Sequence, residues 1–288
     1  VICAPMFIVS NPKLVVEQCK AGVVGSFPAL NARGEGVLNE WLTGIKAELV
    51  DDEATGGHPA PFAVNQIVHP SNNRLAEDIQ VCLSHQVPVF ITSLQAPPKE
   101  LVDGAHAYGG IVLHDVINVR HAKKALEAGV DGLILVAAGA GGHAGMLSPF
   151  ALVGEIRKFY DGLIVLSGSI ATGDAILGAQ AMGADLAYMG TRFICTTEAN
   201  ADAAYKQGII DAAANDVIYT NLFTGVHGNY LRQSIVTAGL DPDNLPVADK
   251  TKMNFGSGGN SAAKAWKDIW GVGQGVGLID DAPSTAEL

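Results

Sequence analysis

The sequence is short of charge, and of positive charge most of all. Only 16% of its 288 residues are charged, with 18 Lys and Arg against 29 Asp and Glu, a formal net charge of −11 and a pI near 5.1. No lysine or arginine block stands out, so nucleic acid is not an expected partner. Cysteine is sparse as well. Cys3, Cys19, Cys82 and Cys195 are scattered with no CxxC pair, a pattern that fits reduced, mostly buried thiols in a cytoplasmic protein. No apolar run reaches the length of a membrane span and no charged leader precedes an apolar stretch, so a membrane is not an expected partner either. The chain has no initial Met and opens directly in an apolar run, so a few residues at either end are expected to lie beyond this sequence.

What is present is apolar and glycine-rich. Hydrophobic residues make up 48% of the chain, and 34 glycines occur without a collagen-like period, so they read as turn and site glycines. Eight apolar runs are expected as strands at residues 1–7, 23–30, 62–68, 87–94, 110–116, 133–138, 163–170 and 185–193. Seven amphipathic helices alternate with them, one carrying Leu38, Trp41, Leu42, Ile45 and Leu49 on a single face. Eight such units predict a closed (β/α)8 TIM barrel over an open doubly wound sheet.

After Phe193 the rhythm breaks. Residues 198–215 read as an Ala-rich helix, 217–223 as a mixed stretch, 226–240 as a helix, and 261–270 as a helix following the glycine-rich 256–260. The barrel is therefore assigned to 1–195 and 260–288, and 196–259 to a helical insertion after strand eight that covers the substrate site.

Active sites of such barrels sit at the C-terminal strand ends. There the chain places Pro5-Met6, Asn65-Gln66, Ser93, His114-Asp115, Gly139 to His143, Gly168-Ser169 and Gly190-Thr191. Acidic side chains are nearly absent from this rim, which argues against hydrolysis by paired carboxylates. No His/Asp/Glu cluster recurs at ligand spacing, so no metal is expected. Gly168-Ser169 before Thr172-Gly173, together with Met189-Gly190-Thr191, mark the seventh and eighth strand ends, where barrels bind phosphate through loop amides. GAGGHA also matches a loose dinucleotide pattern, but a lone match is weak. In its glycine loop, His143 is the candidate catalytic or polarising group. His114 with Asp115 is the rival dyad, of which at most one enters the barrel because adjacent strand residues point to opposite faces. Ser93 has no evident base beside it, and His227 belongs to the insertion.

The motifs APM, PFAVN, AGAGGHAG, SGSIATG, GADLAYMGTRF and WGVGQGVGLIDD resemble those of the FMN-dependent nitronate monooxygenases, once called 2-nitropropane dioxygenases. The resemblance covers almost the whole chain and extends to the flavin-dependent enoyl-ACP reductases. It implies FMN contacts at Met6, Asn65, Gly141, Gly142, Gly168, Ser169, Tyr188, Met189, Gly190, Thr191 and Gln274, and a catalytic histidine at His143. Some relatives carry a lysine where this chain has Asp115. Many carry a polar residue at the position of Val136 and a second glycine at that of Ser169.

The reaction implied is oxidation of an alkyl nitronate (propionate 3-nitronate or a nitroalkane among the candidates) by O2 to a carbonyl compound and nitrite. The nitronate would pass one electron to FMN, and O2 would reoxidise the flavin and enter the product. His143 would orient or polarise the nitro group, and act as base toward a neutral nitroalkane. Two alternatives stay open: an NAD(P)H-dependent FMN reductase acting on an enoyl thioester or quinone, and a non-catalytic flavin-binding barrel. The expected partners are the small-molecule substrate and O2, with a homodimer left open as the assembly.

Overall fold

The structure is a computed structural model in which residues 1–248 and 268–288 are described. The glycine-rich stretch at 256–260, most of the helix expected at 261–270 and the far boundary of the insertion lie outside the described residues.

Long apolar runs covered on both faces set the architecture. In order come β1 (Ile2–Cys3), β2 (Ser26–Pro28), β3 (Ala63–Val68), β4 (Val89–Leu94), β5 (Ile111–Val116), β6 (Gly132–Val136), a short β7 (Gly142–His143), β8 (Leu163–Ser167) and β9 (Leu186–Met189). Apart from β7 they form one parallel eight-stranded sheet, ordered β1-β9-β8-β6-β5-β4-β3-β2. A parallel bridge from Ile2 to Val24 closes the ring. Helices α1 (Pro12–Lys20), α2 (Val37–Ala54), α3 (Leu75–Ser84), α4 (Lys99–His106), α5 (Val119–Glu127), α6 (Pro149–Arg157) and α7 (Gly173–Ala181) return the chain between strands. The fold is a (β/α)8 TIM barrel, as the alternation predicts.

Strand alternation divides the apolar residues into two layers. Ile2, Ala63, Val89, Ile91, Leu113, Ile134, Val165 and Tyr188 point inward and fill the barrel. Phe90, Val112, Leu133, Leu135, Ile164 and Leu166 point outward, where Leu42, Ile45, Leu101, Leu152 and Ile156 of the helices meet them. Asn11, Asn118 and Thr172 cap α1, α5 and α7, each accepting from the amide three residues on. Ser148 stands at the N-cap of α6 without a side-chain cap bond, so the start there rests on Pro149 at the first helical position. All four cysteines are buried free thiols. Among the described residues no helix is long and apolar enough to cross a membrane.

Several expected elements differ. The first run shrinks to Ile2–Cys3: Ala4 still donates to Met189, but Pro5 has no N–H and Ser10 closes a turn onto the carbonyl of Met6 at 3.0 Å. The eighth run ends at Met189, because Gly190 turns the chain into α8 (Thr191–Ile194). Residues 226–240 are not one helix. They hold a strand, β11 (Gly228–Leu231), followed by α10 (Arg232–Thr237). β11 lies between β10 (Val217–Thr220) and β7, antiparallel to both. The pull of two strand partners outweighs a local apolar pattern too short to distinguish helix from strand. Ahead of these strands, α9 (Ala203–Ile210) occupies part of the Ala-rich stretch.

Candidate functional site

The loop leaving β6 is held from outside the barrel. Gly142 and His143 pair with Asn229 and Gly228 of β11. Ala144 donates to the His227 carbonyl at 3.2 Å, and the buried Asn229 amide donates to the Ala140 carbonyl at 2.7 Å. Tyr219 stacks on His227 and donates its hydroxyl to the Ala144 carbonyl. Position 228 has to be glycine for this approach, since a Cβ there would lie 2.7 Å from the Gly142 carbonyl oxygen.

His143 is oriented by the same segment. Its Nε2 is 2.9 Å from Thr224 Oγ1, and the Thr224 hydroxyl donates to the Val226 carbonyl at 3.0 Å. The ring is thereby anchored through Nε2 on a hydroxyl that the Val226 backbone holds in place. Burial lowers the His143 pKa to about 4, so the imidazole is uncharged at neutral pH.

A second group of expected residues meets at one corner of the rim. The Gly139 carbonyl accepts from the amides of Ser169 (3.3 Å) and Gln274 (2.9 Å), and Thr191 Oγ1 accepts from the Gly273 amide at 2.9 Å. A Cβ on Gly141 would lie 2.8 Å from the Gly273 nitrogen, and one on Gly168, at φ +131°, 2.7 Å from the Ala138 carbonyl. These glycines therefore let four loops touch. The Ser169 and Gln274 amides are thus engaged within the protein. Ser169 sits at φ +58°, a conformation that favours glycine. A Cβ on Gly190 would rest in ordinary van der Waals contact with Ala4 Cβ at 3.4 Å and Met6 Sδ at 3.7 Å. Met189 turns away and packs its side chain on Cys3 and Phe193, so it reaches the rim through backbone alone.

The third group was legible only in part. Asn65 and Tyr188 face into the barrel, as expected of ring contacts. Asn65 Nδ2 donates to Ser93 Oγ at 2.8 Å, and Ser93 Oγ donates to Asp115 Oδ2 at 2.7 Å. Ser93 thus does have an ionisable neighbour, contrary to expectation. Of the His114–Asp115 pair, Asp115 shares the inward side with Leu113, while His114 turns out beside Thr92. Thr224, Gly228 and Asn229 were missed altogether, since no local pattern marks a hydroxyl or a strand that acts on a distant loop.

These residues fit a flat, phosphate-bearing cofactor. Gly190 puts backbone without a side chain next to Met6, and Asp115 Oδ1, at the same end of the barrel, is a buried oxygen with no hydrogen-bond partner among the described residues.

Comparison with known proteins agrees. The family model for nitronate monooxygenase matches residues 45–288. A nitronate monooxygenase of Paraburkholderia phytofirmans is 27% identical over all of this chain and 89% of its own length. One from Neurospora crassa is also 27% identical, over all of this chain and 86% of its own. Two solved structures share the fold at 23% identity and a TM-score of 0.77, each over 99% of this chain. They are the nitroalkane oxidase of Streptomyces ansochromogenes, covered to 92%, and FabK of Thermotoga maritima, covered to 89%. With its family match spanning most of the barrel and the tail, this chain belongs to the nitronate monooxygenase family of flavin-dependent oxidoreductases.

Proposed function

We propose that the protein uses FMN to oxidise alkyl nitronates, and the nitroalkanes that yield them, with O2 to a carbonyl compound and nitrite. The observation that carries this reading is His143, an uncharged imidazole pinned to Thr224 at a rim otherwise made of glycines and small or neutral side chains. FMN, when bound, supplies the electron acceptor and the centre at which O2 reacts. Gly141, Gly168, Gly190 and Thr191 would hold its phosphate end, with Met6, Asn65 and Tyr188 beside the ring. The residues that follow β9 would shield the substrate, since β11 already lies against the loop that presents His143.

The uncharged ring of His143 is the candidate acceptor of the α-proton of a neutral nitroalkane. That step leaves a nitronate and an imidazolium, and the new N–H can then pair with the anion. A preformed nitronate bypasses the step.

The test is oxygen uptake with propionate 3-nitronate and with nitroethane, read alongside the visible spectrum and extracted flavin of the purified protein. A yellow protein releasing FMN and consuming O2 with nitronate supports the reading. No uptake, with rapid anaerobic bleaching of the flavin by NADH, would overturn it in favour of a reductase.

A further inference from the structure

Asp115 is a buried carboxyl that the reaction as described does not use. It closes a chain of hydrogen bonds running across three adjacent strands, Asn65 on β3, Ser93 on β4 and Asp115 on β5. The direction of this chain can be read from its first member. Asn65 Nδ2 also donates to the Ile91 carbonyl at 3.2 Å, a group that can only accept, so the amide's NH2 end faces Ser93. Ser93 Oγ accepts there, and its single proton goes to Asp115 Oδ2. Oδ2 is therefore the accepting oxygen, and when the acid is neutral its proton lies on Oδ1. Oδ1 is buried with no hydrogen-bond partner among the described residues, and such a group calls for one.

We propose that Asp115 is a ligand-facing acid, which donates a hydrogen bond from Oδ1 to an acceptor atom on the ring of the flavin. The inference rests on the flavin reading above. It adds a proton-bearing group on β5, the strand next to β6 and its glycine loop, and ties ligand binding to the ionisation of one residue.

The surroundings favour the neutral acid. Burial raises the Asp115 pKa to about 7, opposed in part by the Ser93 hydrogen bond. Ser93 and Asn65 are neutral, and β6 presents Ile134 and Val136 to the interior. Tyr188 of β9 is kept protonated by burial, and His143 above β6 is uncharged at neutral pH. Among the described residues no cation stands by to hold Asp115 as a carboxylate. Once ionised, Oδ1 can only accept, and it faces a ring acceptor with like polarity.

The experiment titrates full-length apoprotein with FMN from pH 5.5 to 9, following visible absorbance, for wild type, Asp115→Asn and Ser93→Ala. FMN's own phosphate ionises near pH ~6 in every case, so the informative quantity is each variant against wild type. Wild-type Kd should rise above pH 7, by up to roughly tenfold per pH unit. Asp115→Asn keeps a donor and cannot ionise, so its Kd should stay near the low-pH wild-type value throughout that range. Ser93→Ala removes the bond that stabilises the carboxylate, so its midpoint should move to higher pH. If wild type binds FMN with no rise in Kd above pH 7, or Asp115→Asn shows the same rise, the inference fails while the flavin reading stands. No FMN binding at any pH overturns both.

Discussion

His143 and Thr224 stand 2.9 Å apart although 81 residues separate them in the chain. The threonine hydroxyl is itself held by the Val226 backbone, donating to its carbonyl at 3.0 Å. The candidate base is thus defined by a segment outside the strand-helix repeat.

Thr224→Val keeps the shape and removes the hydrogen-bond partner of Nε2. A hydrogen bond of about 1 kcal/mol corresponds to roughly a fivefold to tenfold loss of kcat on nitroethane. Thr224→Ser should recover most of it, and flavin content should not change in either variant. Equal kcat for Val and Ser would show that the hydroxyl does not orient the ring.

His143→Asn should lower nitroalkane oxidation by about 100-fold or more, the usual scale for a general base. Oxidation of preformed nitronate should fall much less, because that substrate needs no proton removed. Equal losses on the two substrates would assign His143 to binding instead.

Gly228→Ala places a Cβ 2.7 Å from the Gly142 carbonyl oxygen, where both groups are backbone-anchored and cannot swing aside. β11 must shift off β7, at a cost of about 1–3 kcal/mol. A urea midpoint and a nitronate activity both equal to wild type would mean that the two strands tolerate separation.

Ser169→Gly relieves a left-handed residue at φ +58°. It should leave stability unchanged or raise it by up to about 1 kcal/mol, whereas Ser169→Ala should bring no gain. A lower Tm for the glycine variant would show that the Ser169 side chain contributes more than its backbone costs.

The buried His114 makes stability depend on pH. Its folded pKa is lowered to about 4 from 6.5, mainly by desolvation. Between those values the unfolded chain binds the proton and the folded chain does not, so stability falls as pH drops from 6.5 towards 4. The increment is on the order of 3 kcal/mol at pH 4. His114→Gln can still donate to Thr92 without titrating, so its urea midpoint should fall less than that of wild type between pH 7 and pH 4.5. Identical falls would place the acid sensitivity elsewhere.

The barrel was legible because its evidence is local and repeated. Ile134 and Leu135 sit in one short run, and alternation alone sends the first inward and the second against α6. The same parity argument held that only one of His114 and Asp115 could enter the barrel. It could not say which, because the answer depends on the register of β5 against β4. Residues 226–240 misled for the converse reason: Tyr230 and Leu231 suit a helix face as well as a strand, and only pairing with β10 decides between them.

Alternation of apolar runs and helices, with glycine at the strand ends, was enough to determine the (β/α)8 topology, the rim that carries His143 and the family motifs. Those features depend on neighbours in sequence, where side-chain period and backbone freedom act directly. The anchoring of His143 on Thr224, the inward turn of Asp115 and the engagement of the Ser169 and Gln274 amides were decided by tertiary structure alone. Each is a hydrogen bond or a strand register between segments far apart in the chain, and such a bond has no local signature because its partner is set only when the barrel closes.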